Sequence, residues 1–335
     1  MNKLCEKVLT VSVAAYNAEQ YLREVLDSFV DIPQMDKIEV FVVDDGGTDN
    51  SLAIAKEYQS KYPQTFVPVH KINGGWGSTV NYSINHAHGK YFKLLDGDDY
   101  YDKVNLSKFI DYLNIIDADI VVSPFISFED ISRKKVETFS PDSSYKTNTV
   151  YNIEKVQNEF PLAMHAFAVR TELIQSHGIR VREKYLYRDM EFTSRCIECA
   201  ETIMFFDKPV YFYRLGREGQ SVSKSSYLKH IDEHADIVIT ILNISKNCSN
   251  NKKRILYDLA RGACVQQYVI YFYTSKTKSM KMKLIEFDRI IQEYPDFYKS
   301  IVLPWHIHIL RKLRFNGYEI VMKLLGIKRF VQGKN

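Results

Sequence analysis

Over its first hundred residues the chain alternates short runs of consecutive apolar positions with longer stretches in which apolar residues recur every three or four. The short runs are residues 8–14 (VLTVSVA), 38–43 (IEVFVV), 66–72 and 91–95. They are short and rich in β-branched residues, so they predict strands. Between the first two, Tyr21, Leu22, Val25, Leu26 and Phe29 fall at helical spacing. Residues 51–62 predict a second helix, with Asp49 or Asn50 as its cap, and the glycine-rich turn 73–78 (NGGWGS) feeds a third that runs to His88. Strands alternating with helices predict an α/β, Rossmann-like fold with a mainly parallel central sheet. In such sheets ligands gather beyond the carboxyl ends of the strands. Tyr16-Asn17, Asp44-Asp45, residues 73–78 and the acidic string Asp96-Gly97-Asp98-Asp99 all fall at those ends.

Further on, residues 104–123 predict a helix and a strand, and residues 128–151 an exposed hairpin or loop in which Arg133-Lys134-Lys135 is a solvated face. Residues 209–214 (PVYFYR) predict an edge strand, because of Pro209, and residues 215–223 (LGREGQSVS) a glycine-bearing loop. From Ser226 onward apolar positions recur at helical spacing, and Tyr268, Tyr271, Phe272 and Tyr273 are expected to pack inside that helical region. The domain expectation is a catalytic part over 1–223, divided into 1–102 and 103–223, followed by an α-helical part over 224–335.

Composition adds two constraints. Hydrophobic content of 45% and charged content of 26% over 335 residues describe an ordinary folded chain with a large core. No window reaches the ~18 or more apolar residues of a membrane span, and the N-terminus lacks a signal-peptide profile. The expectation is a cytoplasmic protein. Five scattered cysteines, with Cys196 and Cys199 the one close pair, do not make a disulfide framework and are expected as buried thiols. Charge is unevenly divided: residues 1–223 carry 25 basic and 32 acidic side chains, residues 224–335 carry 20 and 9. Different partners for the two parts are implied.

The candidate chemistry lies in the acidic string. Asp96, Asp98 and Asp99 raise one another's pKa unless a cation intervenes. Oxygen-only ligation favours Mg²⁺ or Mn²⁺, which bind one or two carboxylates plus substrate phosphates. The other reading is a solvated acidic turn. Neither a G-x-G-x-x-G turn nor a phosphate loop of the G-x-x-x-x-G-K-[ST] type follows the first strand.

The segments VSVAAYNAEQYL, VVDDGGTDNS, NGGWGSTVN, HGKYFKLLDGDD, YRDMEF and YRLGREGQSVS, in that order between Val11 and Ser223, resemble the family 2 glycosyltransferases of the glycosyltransferase A fold. The resemblance is to bacterial members that build cell-surface polysaccharides. It implies an inverting, metal-dependent transfer from a nucleotide-diphosphate sugar, with UDP expected, to a hydroxyl of a glycan or lipid-linked saccharide. A sugar-phosphate nucleotidyltransferase and a non-catalytic glycan-binding protein on the same fold are the alternatives. The resemblance puts the backbone of Ala14 and Ala15 and the ring of Tyr16 beside the base. Asp45, with Asp44, would accept the uracil N–H, and Asn73, Gly74 and Asn81 join the nucleotide side. Asp96 would lie near the ribose, Asp98 and Asp99 would hold Mn²⁺ or Mg²⁺, and Arg214 and Arg217 would close over the diphosphate. Asp189 would be the general base, with Glu191 as its substitute and His165 facing the acceptor; the adjacent Arg188 would lower the pKa of Asp189 if it points inward. Many relatives have an arginine where this chain has Val80.

Residues 305–335 contain seven basic side chains and one acidic, Glu319, interleaved with Trp305, Ile309, Leu310 and Leu313 before Gly317 and with Ile320 to Ile327 after it. Two amphipathic segments of this kind predict docking on an anionic membrane surface, which would make the chain peripheral on the inner face. Nothing in the sequence points to nucleic acid.

Overall fold

The computed structural model describes residues 7–217, 220, 224–274 and 278–318. It divides into two compact units, Met1–Gln220 with Cys248–Lys252, and Ser221–Asn247 with Lys253–Asn335.

In the first unit the four predicted strands form as β1 (Leu9–Ala15), β2 (Ile38–Asp44), β3 (Phe66–His70) and β4 (Tyr91–Asp96). They alternate with α1 (Glu19–Asp27), α2 (Ser51–Lys61) and α3 (Trp76–His86). All four run parallel in the order β3-β2-β1-β4, with Ala15 beside Asp44 and Ala14 beside Asp96. The apolar residues of β2 and β4, and those of β1 apart from Ala14, are buried, as covering both faces requires, whereas in the outer strand β3 only Phe66 is. The polar residues among them are paired: Thr10 Oγ1 donates to Glu39 Oε1 (2.6 Å) and Ser12 Oγ to Ser83 Oγ (2.7 Å).

Then come β5 (Tyr100–Tyr101), α4 (Lys103–Ile115), β6 (Ile120–Val122), β7 (Phe125–Glu129), β8 (Lys135–Phe139) and β9 (Tyr151–Asn152). After these follow β10 (Phe167–Arg170), α5 (Thr171–Ser176), α6 (Asp189–Cys199), β11 (Thr202–Phe205) and β12 (Tyr211–Leu215). β10 inserts antiparallel between β4 and β6, and β11 and β9 complete an eight-stranded sheet. The expected hairpin is β7–β8, with β8 exposed. A second sheet has the order β5-β12-β7-β8, so β12 is an interior strand and not the edge strand its proline predicts. Pro209 lies ahead of the ladder and removes no hydrogen bond from it.

The second unit is helical: α7 (Lys224–Lys229), α8 (Ile231–Ser245), most of α9 (Asn250–Thr274), α10 (Lys278–Gln292), α11 (Pro295–Ser300) and α12 (Trp305–Lys312). Tyr268, Tyr271 and Phe272 are buried there, and Tyr268 Oη donates to Asp288 Oδ1 (2.7 Å). Cys196, Cys199, Cys248 and Cys264 are free thiols. Among the described residues no helix is long and apolar enough to cross a membrane.

At the carboxyl edge of the large sheet two helices cap each other. Asp49 Oδ2 accepts the Glu19 N–H (2.9 Å) and its Oδ1 the Ser51 N–H (2.9 Å), while Glu19 Oε2 accepts the Asn50 N–H (2.7 Å). Asn50 occupies the cap position of α2 but makes no side-chain cap bond, so Asp49 does that work. Burial works against ionisation of Asp49, yet the bonds from Ser51 and Glu19 outweigh it and hold the carboxyl below its ordinary range. A depressed carboxylate stabilises the fold above its unfolded pKa and loses that contribution as pH falls. Asp49→Asn is therefore expected to cost about 1 kcal/mol in urea unfolding at pH 7. The difference from the parent should shrink as pH falls below about 4.

Candidate active site

Beyond Ala15 the chain leaves the sheet through Tyr16, 58% exposed, and Asn17, whose φ is +49°. Asn17 Oδ1 accepts the Thr48 N–H (2.8 Å), which ties the loops after β1 and β2 together. Asp44 and Asp45 are both buried. Asp45 Oδ1 accepts from Lys71 Nζ (2.7 Å), the Gly74 N–H (2.9 Å) and Ser78 Oγ (3.2 Å), and Oδ2 from the Gly75 N–H (2.8 Å). A carboxylate offers about four lone-pair sites. The residue expected to read a uracil N–H is thus filled by its own glycine-rich turn, which it holds in place. Asp44 has fewer donors, the Gly47 N–H (3.1 Å) and His70 Nδ1 (2.6 Å), and keeps acceptor capacity.

Asn73 Nδ2 donates to the Asp45 carbonyl (2.9 Å), and the Gly74 carbonyl accepts the Lys184 N–H (2.8 Å). Gly75 has φ +80°, and a Cβ there would meet the Lys184 backbone at 3.1 Å, so only glycine fits. Asn81, also expected at the nucleotide, faces elsewhere. Its amide nitrogen donates to the Val181 carbonyl (2.9 Å) and Glu183 Oε1 (3.1 Å), and its oxygen accepts the Val181 N–H (3.0 Å). Val80 is core.

The acidic turn leaves β4 pressed against β1: a Cβ on Gly97 would lie 2.6 Å from the Ala14 carbonyl oxygen. Asp96 Oδ1 accepts from Trp76 Nε1 (2.9 Å), and Asp98 forms an ion pair with Arg217. Asp99 accepts from Tyr211 Oη (2.5 Å) and from the Arg214 N–H (2.7 Å), and the same phenol oxygen accepts the Asp96 N–H (3.3 Å). Arg214 is buried beneath the turn. Its Nε donates to the Asp98 carbonyl (2.5 Å), Nη1 to Asp130 (2.6 Å) and Nη2 to Glu24 (2.6 Å). Expected over a diphosphate, Arg214 is instead an internal strut, and Arg217, its side chain 32% exposed, is the more accessible of the two arginines.

Burial, with the charges of Asp98 and Asp189, pushes Asp96 up to about 7, and burial with Asp98 and Asp96 pushes Asp99 well above its ordinary range. Such a turn favours a cation. Asp96, Asp99 and His165 each bring a ligand atom within 4.8 Å of the others, and among the described residues His165 Nδ1 has no hydrogen-bond partner. Carboxylate oxygens with one neutral imidazole suit Mn²⁺. Burial first, then the charge of Lys93, lowers His165 to about 3, so its ring is neutral. That ring stacks on Tyr213 (centroids 4.4 Å) and meets Tyr211 edge-on (4.6 Å). Lys93, fully buried and lowered to about 7 by desolvation, donates to the carbonyls of His165 (2.7 Å) and Phe167 (3.1 Å).

Asp189 opens α6, half-buried, and lies close enough for its charge to raise Asp96 and Tyr213. Its own carboxyl is raised, because burial outweighs the Met190 N–H and the Arg188 charge. This reverses the expectation from Arg188. That guanidinium is buried over the Tyr185 ring (4.9 Å) and lies 3.4 Å from Glu191. Glu191 is itself buried between Arg188 and Arg195 (3.9 Å), which leaves it a structural anion rather than a substitute base. Lys71, Trp76, Lys93 and Tyr211 were not singled out by sequence. A lone lysine inside an apolar strand, and tyrosines alternating along 211–213, were the available signals.

The family model described as glycosyl transferase family 2 matches residues 10–178. The poly(ribitol-phosphate) β-N-acetylglucosaminyltransferase TarS of Staphylococcus aureus is 26% identical over 317 residues, covering 91% of this chain and 52% of TarS. The minor teichoic acid biosynthesis protein GgaB of Bacillus subtilis is 25% identical over 224 residues, covering 65% of this chain and 24% of GgaB. The chain thus spans about half the length, or less, of these relatives. The crystal structure of S. aureus TarS 1–349 in complex with UDP-GlcNAc matches with a TM-score of 0.71 at 23% identity, over 97% of this chain and 93% of that one. A mannosyltransferase, PcManGT from Pyrobaculum calidifontis, in complex with GDP-Man and Mn²⁺, matches with a TM-score of 0.50 at 14% identity, over 96% and 87%. The structural likenesses show a shared fold, and the sequence match goes further: this chain belongs to glycosyl transferase family 2.

Proposed function

We propose that the chain transfers a sugar, with inversion, from a UDP-sugar to a hydroxyl of a bacterial cell-surface glycan or its lipid-linked precursor. The observation that carries this reading is convergence. The acidic turn, Asp189 and Arg217 meet at one sheet edge, where Asp96 feels the charges of all three of Asp98, Asp189 and Arg217. The names of the TarS and GgaB relatives, and the UDP-GlcNAc bound by TarS, support the donor and acceptor classes.

In this reading the exposed ring of Tyr16 lies against the base, with the backbone of Ala14 and Ala15 alongside, and Asp44 accepts its N–H. The acceptor oxygen bonds to the anomeric carbon as the bond from that carbon to the diphosphate oxygen breaks, and the electron pair leaves with the nucleoside diphosphate. Asp189 takes the acceptor proton, and its raised pKa makes it a stronger base than an ordinary aspartate. Arg217 moves from Asp98 to the departing diphosphate, whose oxygens its planar donors match. A divalent ion, held from the turn by Asp98 and by Asp96 or Asp99 with His165, would neutralise charge on that leaving group. Inversion follows from the single displacement.

Asp189→Asn should leave UDP-sugar affinity unchanged in calorimetry while kcat falls by about 10²-fold or more, the scale of a lost general base. In the parent, kcat should drop as pH falls through a value above the ordinary carboxylate range, because the base must be ionised to act. For the cation, Asp98→Ala should remove the Mn²⁺-dependent part of UDP binding, and unchanged Mn²⁺ dependence would refute Asp98 as a ligand. The two arginines should separate cleanly. Arg217→Ala is expected to weaken UDP binding with little change in unfolding free energy. Arg214→Ala should destabilise the fold by about 3 kcal/mol or more, since it strands buried carboxylates.

A further inference from the structure

The inward face of α12 packs through Ile307, Leu310 and Arg311, the last with its Nε 3.1 Å from Asp288. The outward face is apolar too. Trp305, Ile309 and Leu313 follow one another at four-residue spacing with exposures of 65, 42 and 51%, and Val302 just ahead is 83% exposed. A surface helix that packs on one side ordinarily presents polar groups on the other. From Ile301 to Tyr318 the sequence has no acidic residue, and its exposed charges are Lys312 and Arg314. The chain is bent to keep this arrangement. Arg314 and Phe315 both take left-handed φ values, +51° and +58°, which bury Phe315 and leave Arg314 outside. For a bulky residue such as phenylalanine that conformation is uncommon.

The charge calls for an anionic partner, and the stripe calls for one that can bury tryptophan and branched aliphatic groups. A sugar-phosphate polymer offers the first without the second. A bilayer with anionic headgroups offers both, apolar side chains entering the acyl boundary while lysine and arginine stay among the headgroups. We propose that the outward face of α12, with Val302, Leu313 and Arg314, docks on an anionic lipid bilayer. This stands independently of the transfer reaction. Of the two amphipathic segments read from the sequence, the second, beyond Gly317, lies almost wholly outside the described residues.

The test is co-sedimentation of the full chain with vesicles of phosphatidylcholine alone or mixed with phosphatidylglycerol, with soluble polyphosphate as competitor. The parent should pellet only with the mixed vesicles and be released by high salt. The triple variant Trp305→Ser, Ile309→Ser, Leu313→Ser should partition about tenfold or more weakly at low salt. The double variant Lys312→Gln, Arg314→Gln should lose about tenfold and much of its salt dependence. All five side chains are exposed, so far-UV circular dichroism should match the parent. Failure of the parent to pellet with mixed vesicles would overturn the proposal. So would undiminished binding by the triple variant, or complete displacement by polyphosphate, which would assign the face to an anionic polymer.

Discussion

The buried guanidinium of Arg214 is the contact on which the candidate site depends. It reaches α1 through Glu24, the end of β7 through Asp130 and the acidic turn through the Asp98 carbonyl, while the backbone N–H of Arg214 holds Asp99. Three segments far apart in sequence are fixed around one cation. Removing water from a charge of this kind costs several kcal/mol, and only near-complete pairing offsets it. Tyr211, three residues earlier on the same strand, completes the clamp by bridging Asp99 and the Asp96 backbone. β12 is therefore the base on which the turn rests, and the turn's shape is set from below.

The first half of the fold was legible because β1, β2 and β4 are covered on both faces, which writes itself into the sequence as unbroken apolar runs. The acidic turn was legible for a different reason: three carboxylates within four residues have few structural explanations. What could not be read is which polar groups are already spoken for. Arg214 looks like a phosphate ligand until its partners are known, and Glu24 lies 190 residues away in sequence. Asp45 looks like a base-reading carboxylate until the glycine-rich turn folds back onto it. Likewise β10 enters the sheet against the direction of its neighbours, an outcome of long-range register that leaves no local mark.

Environment also corrects the electrostatics. Arg188 adjoins Asp189 in sequence, but its charge is directed to Tyr185 and Glu191, and burial of Asp189 prevails. Sequence adjacency sets a charge within reach, whereas side-chain direction decides which carboxylate it serves. Lys93 makes the same point from the other side. A lysine in the middle of a buried strand is tolerated because two carbonyls accept from it, and in accepting they fix the short turn that carries His165.

The Asp98–Arg217 pair has a consequence for how tightly any diphosphate can be held. Since the arginine already has an anionic partner, diphosphate binding as proposed would exchange one ion pair for another, and the affinity would be the difference between the two. A site built as an exchange grips its ligand less firmly than its charge would imply. It also regains its counter-charge the moment the ligand departs, which lowers the barrier to emptying the cleft. Under the proposed transfer, such an arrangement would favour turnover over tenacity, easing discharge of the spent nucleotide after each round.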